Sequence, residues 1–203
     1  MDIFVFGTLR SDTLRKIVLG RDISSDDICE ATIKDFQVYW AKEGPFPVMI
    51  PEPNSEAHGL VLKNLREPDI ERLNYYELGF DYVLATTSVE TDAGQIGVSA
   101  YFCNRSDMAT AKLWSFDDWL SDHSAIQYLA AQEFLDFFGT KFGDTAQVMY
   151  NSILKRAEVF VSESSTPSSA IESGPDLNTN IQIEDLKREY LGFFALNQVD
   201  LKY

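Results

Sequence analysis

The chain opens on four consecutive apolar residues, Ile3-Phe4-Val5-Phe6, closed by Gly7-Thr8. An unbroken run of that length is the pattern of a strand covered on both faces. Ser11 and Asp12 then offer N-cap side chains, and Leu14, Ile17 and Val18 recur at helical spacing. Gly20 suits the left-handed residue that ends such a helix. From Ile28 to Ala41 the pattern turns extended, rich in β-branched and aromatic residues. Gly44-Pro45-Phe46-Pro47 reads as a rigid connection, and Val48-Met49-Ile50 and Gly59-Leu60-Val61-Leu62 as two further strands. Pro68 sits in the first turn of a helix in which Ile70, Leu73 and Tyr76 or Glu77 share a face. Tyr82 to Thr91 and Gln95 to Cys103 are strands joined by the Asp92-Ala93-Gly94 turn. The order β-α-β-β-β-α-β-β has too few helices between strands for a doubly wound parallel sheet. It predicts an α+β fold, a small mixed and curved β-sheet or barrel with flanking helices.

Beyond this the periodicity is helical. Ser115 caps a short helix through Leu120, Ser124 a second that ends at Gly139, and Asp144 opens a third. Ser162 to Asn180 is dominated by Ser, Thr, Pro and Gly, the composition of a linker or long loop. Tyr190, Leu191, Phe193 and Phe194 then resume an apolar pattern that reads as strand. The predicted organisation is a first domain over 1–112, a helical extension over 113–162, a linker over 163–180 and a C-terminal strand segment over 181–203. That strand must bury its apolar residues on the helical region or on a second copy of the chain.

Composition narrows the function classes. With 45% hydrophobic residues the chain can build a core. Its net charge of −15 excludes the basic surface that nucleic acid or an anionic membrane requires. No run approaches a membrane span and no leader pattern is legible, so a cytoplasmic location is expected. The two cysteines, Cys29 and Cys103, form no CxxC pair, and the two histidines, His58 and His123, have no metal-ligand spacing to carboxylates. No metal and no cofactor is expected.

Two segments carry candidate chemistry. In Phe6-Gly7-Thr8-Leu9 the glycine lets the backbone turn sharply after the first strand, and the amides of Thr8 and Leu9 can face an anion or a developing oxyanion. In Leu73-Asn74-Tyr75-Tyr76-Glu77-Leu78-Gly79-Phe80-Asp81-Tyr82, Glu77 stands at a helix C-terminus among aromatic neighbours. The helix dipole and low polarity both favour its neutral acid, raising the pKa towards the range useful for proton transfer. The bland alternative is a solvent-facing carboxylate, or one paired with a cation such as Arg72.

Taken in order, Phe6-Gly7-Thr8-Leu9, Phe46-Pro47-Val48-Met49, Gly59-Leu60-Val61, the Leu73/Tyr76/Glu77/Tyr82 pattern and a hairpin ending in Ala100-Tyr101 resemble the γ-glutamylcyclotransferase family, in its AIG2-like branch. The resemblance covers about residues 1–110 and implies a small mixed barrel whose members cyclise a γ-glutamyl group to 5-oxoproline, releasing an amine or amino acid. It implies that Glu77 is the acid/base residue and that Phe6, Gly7, Thr8 and Leu9 cradle a small γ-glutamyl-type substrate. It also implies that Phe46, Pro47, Tyr82 and Tyr101 line or brace the pocket. The family usually has Tyr where Phe6 stands, and many members have Arg shortly after the residue matched by Tyr82, where Val83 and Leu84 stand here. The competing reading is a non-catalytic ligand- or partner-binding module of the same fold. Separately, Glu189-Tyr190-Leu191-Gly192-Phe193-Phe194 through Tyr203 resembles the opening strands of a Nudix hydrolase, without the Nudix box. That resemblance implies attachment to a second, Nudix-type domain.

Overall fold

A computed structural model describes residues 1–77, 82–140, 143–164, 188–190 and 192. The chain divides into two compact units, Met1–Asp122 and His123–Tyr203.

The first unit is a barrel. Strand β1 (Ile3–Val5) is buried at every position, as its apolar run requires. It runs antiparallel to β3 (Pro47–Leu62), with Ile3 opposite Leu62, and parallel to β5 (Gly94–Cys103), with Ile3 opposite Ser99. Strand β5 pairs with β4 (Tyr82–Thr91) across the predicted hairpin, and β4 touches β2 (Ile28–Ala41) at Thr32 and Glu90. Pairing of β2 with β3 closes five strands into a ring, β3-β1-β5-β4-β2. A sixth strand, β6 (Ala109–Leu113), which the apolar pattern did not reveal, adds to the far end of β2.

Two expectations need correction here. The residues predicted as separate strands at 48–50 and 59–62 belong to one 16-residue strand. The strand runs through Pro51 and Pro53, although proline cannot donate to a ladder. A bulge resolves the conflict. The register shifts between Lys34 and Phe36, with Asp35 at φ 60 and Asn54 at φ 66, and the Asp35 carboxylate accepts the Asn54 amide at 2.9 Å. Cys103 ends the apolar run Val98–Cys103, a pattern that predicts a buried thiol, yet it is partly exposed, 3.6 Å from the Arg105 carbonyl.

Helix α1 (Asp12–Leu19) starts and stops as its sequence dictates. Ser11 Oγ accepts the Leu14 amide, and Gly20 takes φ 68 with its N–H on the Lys16 carbonyl. Helix α2 (Glu67–Glu77) is held near its start and at its middle. Near its start buried Asp69 accepts the Arg21 fork at 2.8 and 2.7 Å. That fork, helped by the Arg66 amide, holds Asp69 well below the usual carboxylate range. Further along, Arg72 Nε donates to the Val18 carbonyl at 2.7 Å and its Nη2 to Ile17 at 3.3 Å. The last carbonyls of α1 thus find a partner on α2, and the helix that ends in Glu77 is oriented by α1.

Gly59 marks the tightest approach in the barrel. A Cβ there would lie 2.3 Å from the Val5 carbonyl oxygen and 2.6 Å from Phe4 Cε2. Backbone cannot yield as a flexible side chain can, so Gly59→Ala should cost about 1–3 kcal/mol. Urea unfolding followed by tryptophan fluorescence checks this, since Trp40, Trp114 and Trp119 all lie in Met1–Asp122. A midpoint equal to wild type would show that β1 and β3 separate freely.

Helix α3 (Phe116–Asp122) closes the first unit, capped by Ser115 Oγ accepting the Asp118 amide at 3.1 Å. Residues 113–122, read above as the start of a helical extension, fall in this unit. In the second unit, α4 (Ser124–Leu135) is preceded by His123 as N-cap, one residue before the expected Ser124. Helix α5 (Gly143–Ser164) overruns the start of the predicted linker at 163. The remainder of 163–180 lies outside the described residues. The C-terminal strand expectation is corrected where it can be read, because Arg188, Glu189, Tyr190 and Gly192 are helical. Residue 191, residues 181–187 and 193–203, and with them most of the Nudix-like stretch, lie outside the described residues.

Candidate active site

Glu77 is the last residue of α2. The residue is partly buried, and withdrawal of its carboxyl group from water pushes the pKa up to about 7. Burial is the sole cause acting on it, and among the described residues no cation is paired with this carboxylate. Arg72, which could have neutralised it, donates to the carbonyls of α1.

Two tyrosines from neighbouring strands feel the Glu77 charge. Tyr82 begins β4 and Tyr101 lies near the end of β5, and the ladder puts Tyr101 opposite Leu84 and Tyr82 opposite Cys103. Burial first, and Glu77 second, raise the pKa of both phenols. Each hydroxyl has a set partner. Tyr82 donates to the Pro47 carbonyl at 2.8 Å, and Tyr101 donates to Asn74 Oδ1 at 2.8 Å.

The Pro47 contact links this group to the loop after β1. A Cβ on Gly7 would lie 2.4 Å from Pro47 Cγ, so the loop passes against Pro47 at a distance only glycine allows. Thr8–Arg10 then forms one 3₁₀ turn, with the Arg10 amide on the Gly7 carbonyl and the Ser11 amide on the Thr8 carbonyl, both at 3.0 Å. Phe6 and Leu9 send their side chains into the core. Whatever this loop offers a ligand therefore comes from its backbone and from Thr8, which is partly exposed.

Glu77, Tyr82, Tyr101, Pro47 and Gly7 thus form one connected group. Phe46 does not join it by any described contact. It packs on Ala41, Val48 and Met108 in a small side cluster. Residues 78–81 of the Glu77 motif lie outside the described residues. Asn74 was missed as a participant, although a signal existed: it stands three residues before Glu77, hence one helical turn away on the same side of α2. A separate concavity of about 380 Å³ on the outer barrel face is lined by Arg10, Thr32, Lys34, Glu56, His58 and Glu90 among others, and none of the expected site residues lines it.

A family model described as gamma-glutamyl cyclotransferase, AIG2-like, matches residues 3–121, more than half of the chain. The chain belongs to this family. AIG2-like protein A of Arabidopsis thaliana is 26% identical over 125 residues, covering 60% of this chain and 73% of that protein. Protein AIG2 A of the same organism is 23% identical over 172 residues, covering 83% of this chain and 94% of that one. Among solved structures, one described as a gamma-glutamyl cyclotransferase aligns over 93% of this chain and 98% of its own, at 14% identity and a TM-score of 0.46. Among the described residues no helix is long and apolar enough to cross a membrane.

Proposed function

We propose that the chain is a γ-glutamylcyclotransferase-like enzyme that acts on a small γ-glutamyl amine or amino acid, with Glu77 as its acid/base group. The observation that carries this reading is the Glu77 carboxyl itself. It is partly buried, its charge acts on Tyr82 and Tyr101, and burial pushes its pKa up to about 7. A carboxylate kept for stability would be fully solvated or paired; this one is partly buried, and among the described residues no cation is paired with it.

The chemistry needs a single proton carrier. The carboxylate of Glu77 takes a proton from the substrate α-amine as its nitrogen attacks the γ-carbonyl carbon. The ring C–N bond forms, the original γ-amide C–N bond breaks, and Glu77 returns the proton to the leaving amine. No electron transfer and no water are consumed. Because nucleophile and electrophile belong to one molecule, holding its folded conformer supplies much of the rate. The amides of the Gly7–Leu9 turn would meet the carbonyl oxygen as negative charge develops on it. Pro47 and the two tyrosines would brace the pocket, and a cytoplasmic setting suits such a substrate.

The test is incubation with a panel of γ-glutamyl amino acids and amines, with 5-oxoproline measured directly. Release from at least one of them is expected. No release from any would favour the non-catalytic module. The pH dependence follows from the same carboxyl. Protonated Glu77 cannot accept the amine proton, so kcat/KM should fall as pH drops below about 7. A flat profile through that range would remove Glu77 as the base.

A further inference from the structure

We propose that Asn74 is a positioning residue of this site: by taking the proton of the Tyr101 hydroxyl it leaves the Tyr101 oxygen as a hydrogen-bond acceptor beside Glu77, a polarity suited to an amine. The proposal rests on the reading of Glu77 as the acid/base group and assigns the end of the substrate that meets it.

A phenol has one proton to give and two lone pairs to receive with. The Tyr101 proton lies on Asn74 Oδ1 at 2.8 Å, so it is not available to Glu77 or to a ligand. What Tyr101 can still do is accept. Glu77, once ionised, also only accepts. Asn74 stands one helical turn from Glu77 on the same side of α2, so its hydrogen bond brings the Tyr101 oxygen to the Glu77 end of that helix, and a group rich in N–H is the complement of two such acceptors. In the proposed reaction that group is the α-amine of the γ-glutamyl moiety.

The electrostatics agree with this geometry. Were Tyr101 donating to the Glu77 carboxylate, it would favour the charged form. Instead burial alone acts on Glu77. Among the described residues the titratable groups around it lie on α2, β4 and β5. Tyr75 and Tyr76 flank it on α2, Tyr82 approaches from β4 with its proton on Pro47, and Tyr101 from β5. Cys103 on β5 acts on Tyr82, and Arg72 is engaged with α1. Asn74 itself is neutral, so it orients Tyr101 without adding a second negative charge one helical turn from Glu77.

The test reads Glu77 directly, without turnover. Glutamate labelled with ¹³C at the carboxyl gives a titration curve, and the Glu77 signal is the one absent from Glu77→Gln. In Asn74→Leu the freed Tyr101 proton turns to the carboxylate, and the midpoint should fall by on the order of one pH unit. In Asn74→Asp the acceptor stays and a negative charge is added, so the midpoint should rise. Adding Tyr101→Phe to Asn74→Leu should cancel the fall, which separates the hydroxyl from any change in packing. With a turned-over substrate, Asn74→Leu should raise KM several-fold.

An Asn74→Leu midpoint that stays or rises overturns the proposal, as does a fall that persists with Tyr101→Phe present. If Asn74→Leu does not fold, Asn74→Ala carries the same expectation and the same control. The two readings fail separately. Midpoint shifts as expected with no 5-oxoproline from wild type would sink the enzyme and keep the Asn74 assignment. Turnover by wild type with unmoved midpoints would do the reverse.

Discussion

Glu77→Gln should reduce 5-oxoproline release by about 10²–10⁴-fold, the usual loss on removing an acid/base group. The amide is nearly isosteric but cannot carry a proton from the attacking amine to the leaving one. The fold should not suffer, and the sign can be worked out. The folded-state pKa of Glu77 is raised to about 7 by burial, above its ordinary value of 4.5. A group raised in this way contributes stability that is fully present below the unfolded value and lost as pH rises through the folded one. Above about pH 7 the wild-type protein therefore holds an unfavourable buried charge that the glutamine variant lacks. Glu77→Gln should be at least as stable as wild type at pH 8, and its advantage should vanish near pH 4. Retained activity would end the assignment of Glu77. Lost activity with a lowered melting temperature at pH 8 would show that the carboxyl serves the fold instead.

The elements around this site were legible where sequence and tertiary demands agree. The Ile3–Phe6 run, the Ser11 cap, the Gly20 stop and the Ile28–Ala41 pattern each correspond to observed structure. Strand β3 reads as two pieces because its apolar pattern lapses between Ile50 and Gly59, while a bulge at Asp35 and Asn54 lets the ladder continue through that stretch. Strand β6 gives a weak signal, since Ala109–Leu113 is an edge with exposed residues and no apolar alternation. The sequence around Tyr190 predicts strand because aromatic residues raise β propensity, a preference that tertiary packing overrides in the helical turn at 188–190. At the site, Glu77 could be singled out by its place at a helix end. The partner of Tyr101 could not, because only the sheet register and the α2 orientation together bring Asn74 and Tyr101 within a hydrogen bond.

Glu133→Ala should destabilise the second unit by about 3–5 kcal/mol, the range for stripping a buried ion pair of one partner. Glu133 lies on α4 with its side chain only 8% exposed, and two groups converge on it. The Arg156 guanidinium from α5 donates to Oε1, and the Tyr190 hydroxyl donates to Oε2 at 2.6 Å. The Tyr190 ring also meets Phe160 edge-on at 5.4 Å, and Tyr190 is 2% exposed. One carboxylate therefore ties α4, α5 and the helical turn at 188–190 together. Without it Arg156 loses this carboxylate in a buried setting, and the Tyr190 hydroxyl loses the acceptor at Oε2. Tyr190→Phe removes only the hydroxyl and should cost less, about 1–2 kcal/mol, because the ring contact with Phe160 survives. Both are measured by urea unfolding followed through the helical circular dichroism signal, since the tryptophans report on the first unit. The order of effects is the decisive point. A Glu133→Ala protein as stable as wild type, or a Tyr190→Phe protein less stable than Glu133→Ala, would show that the carboxylate does not organise these helices.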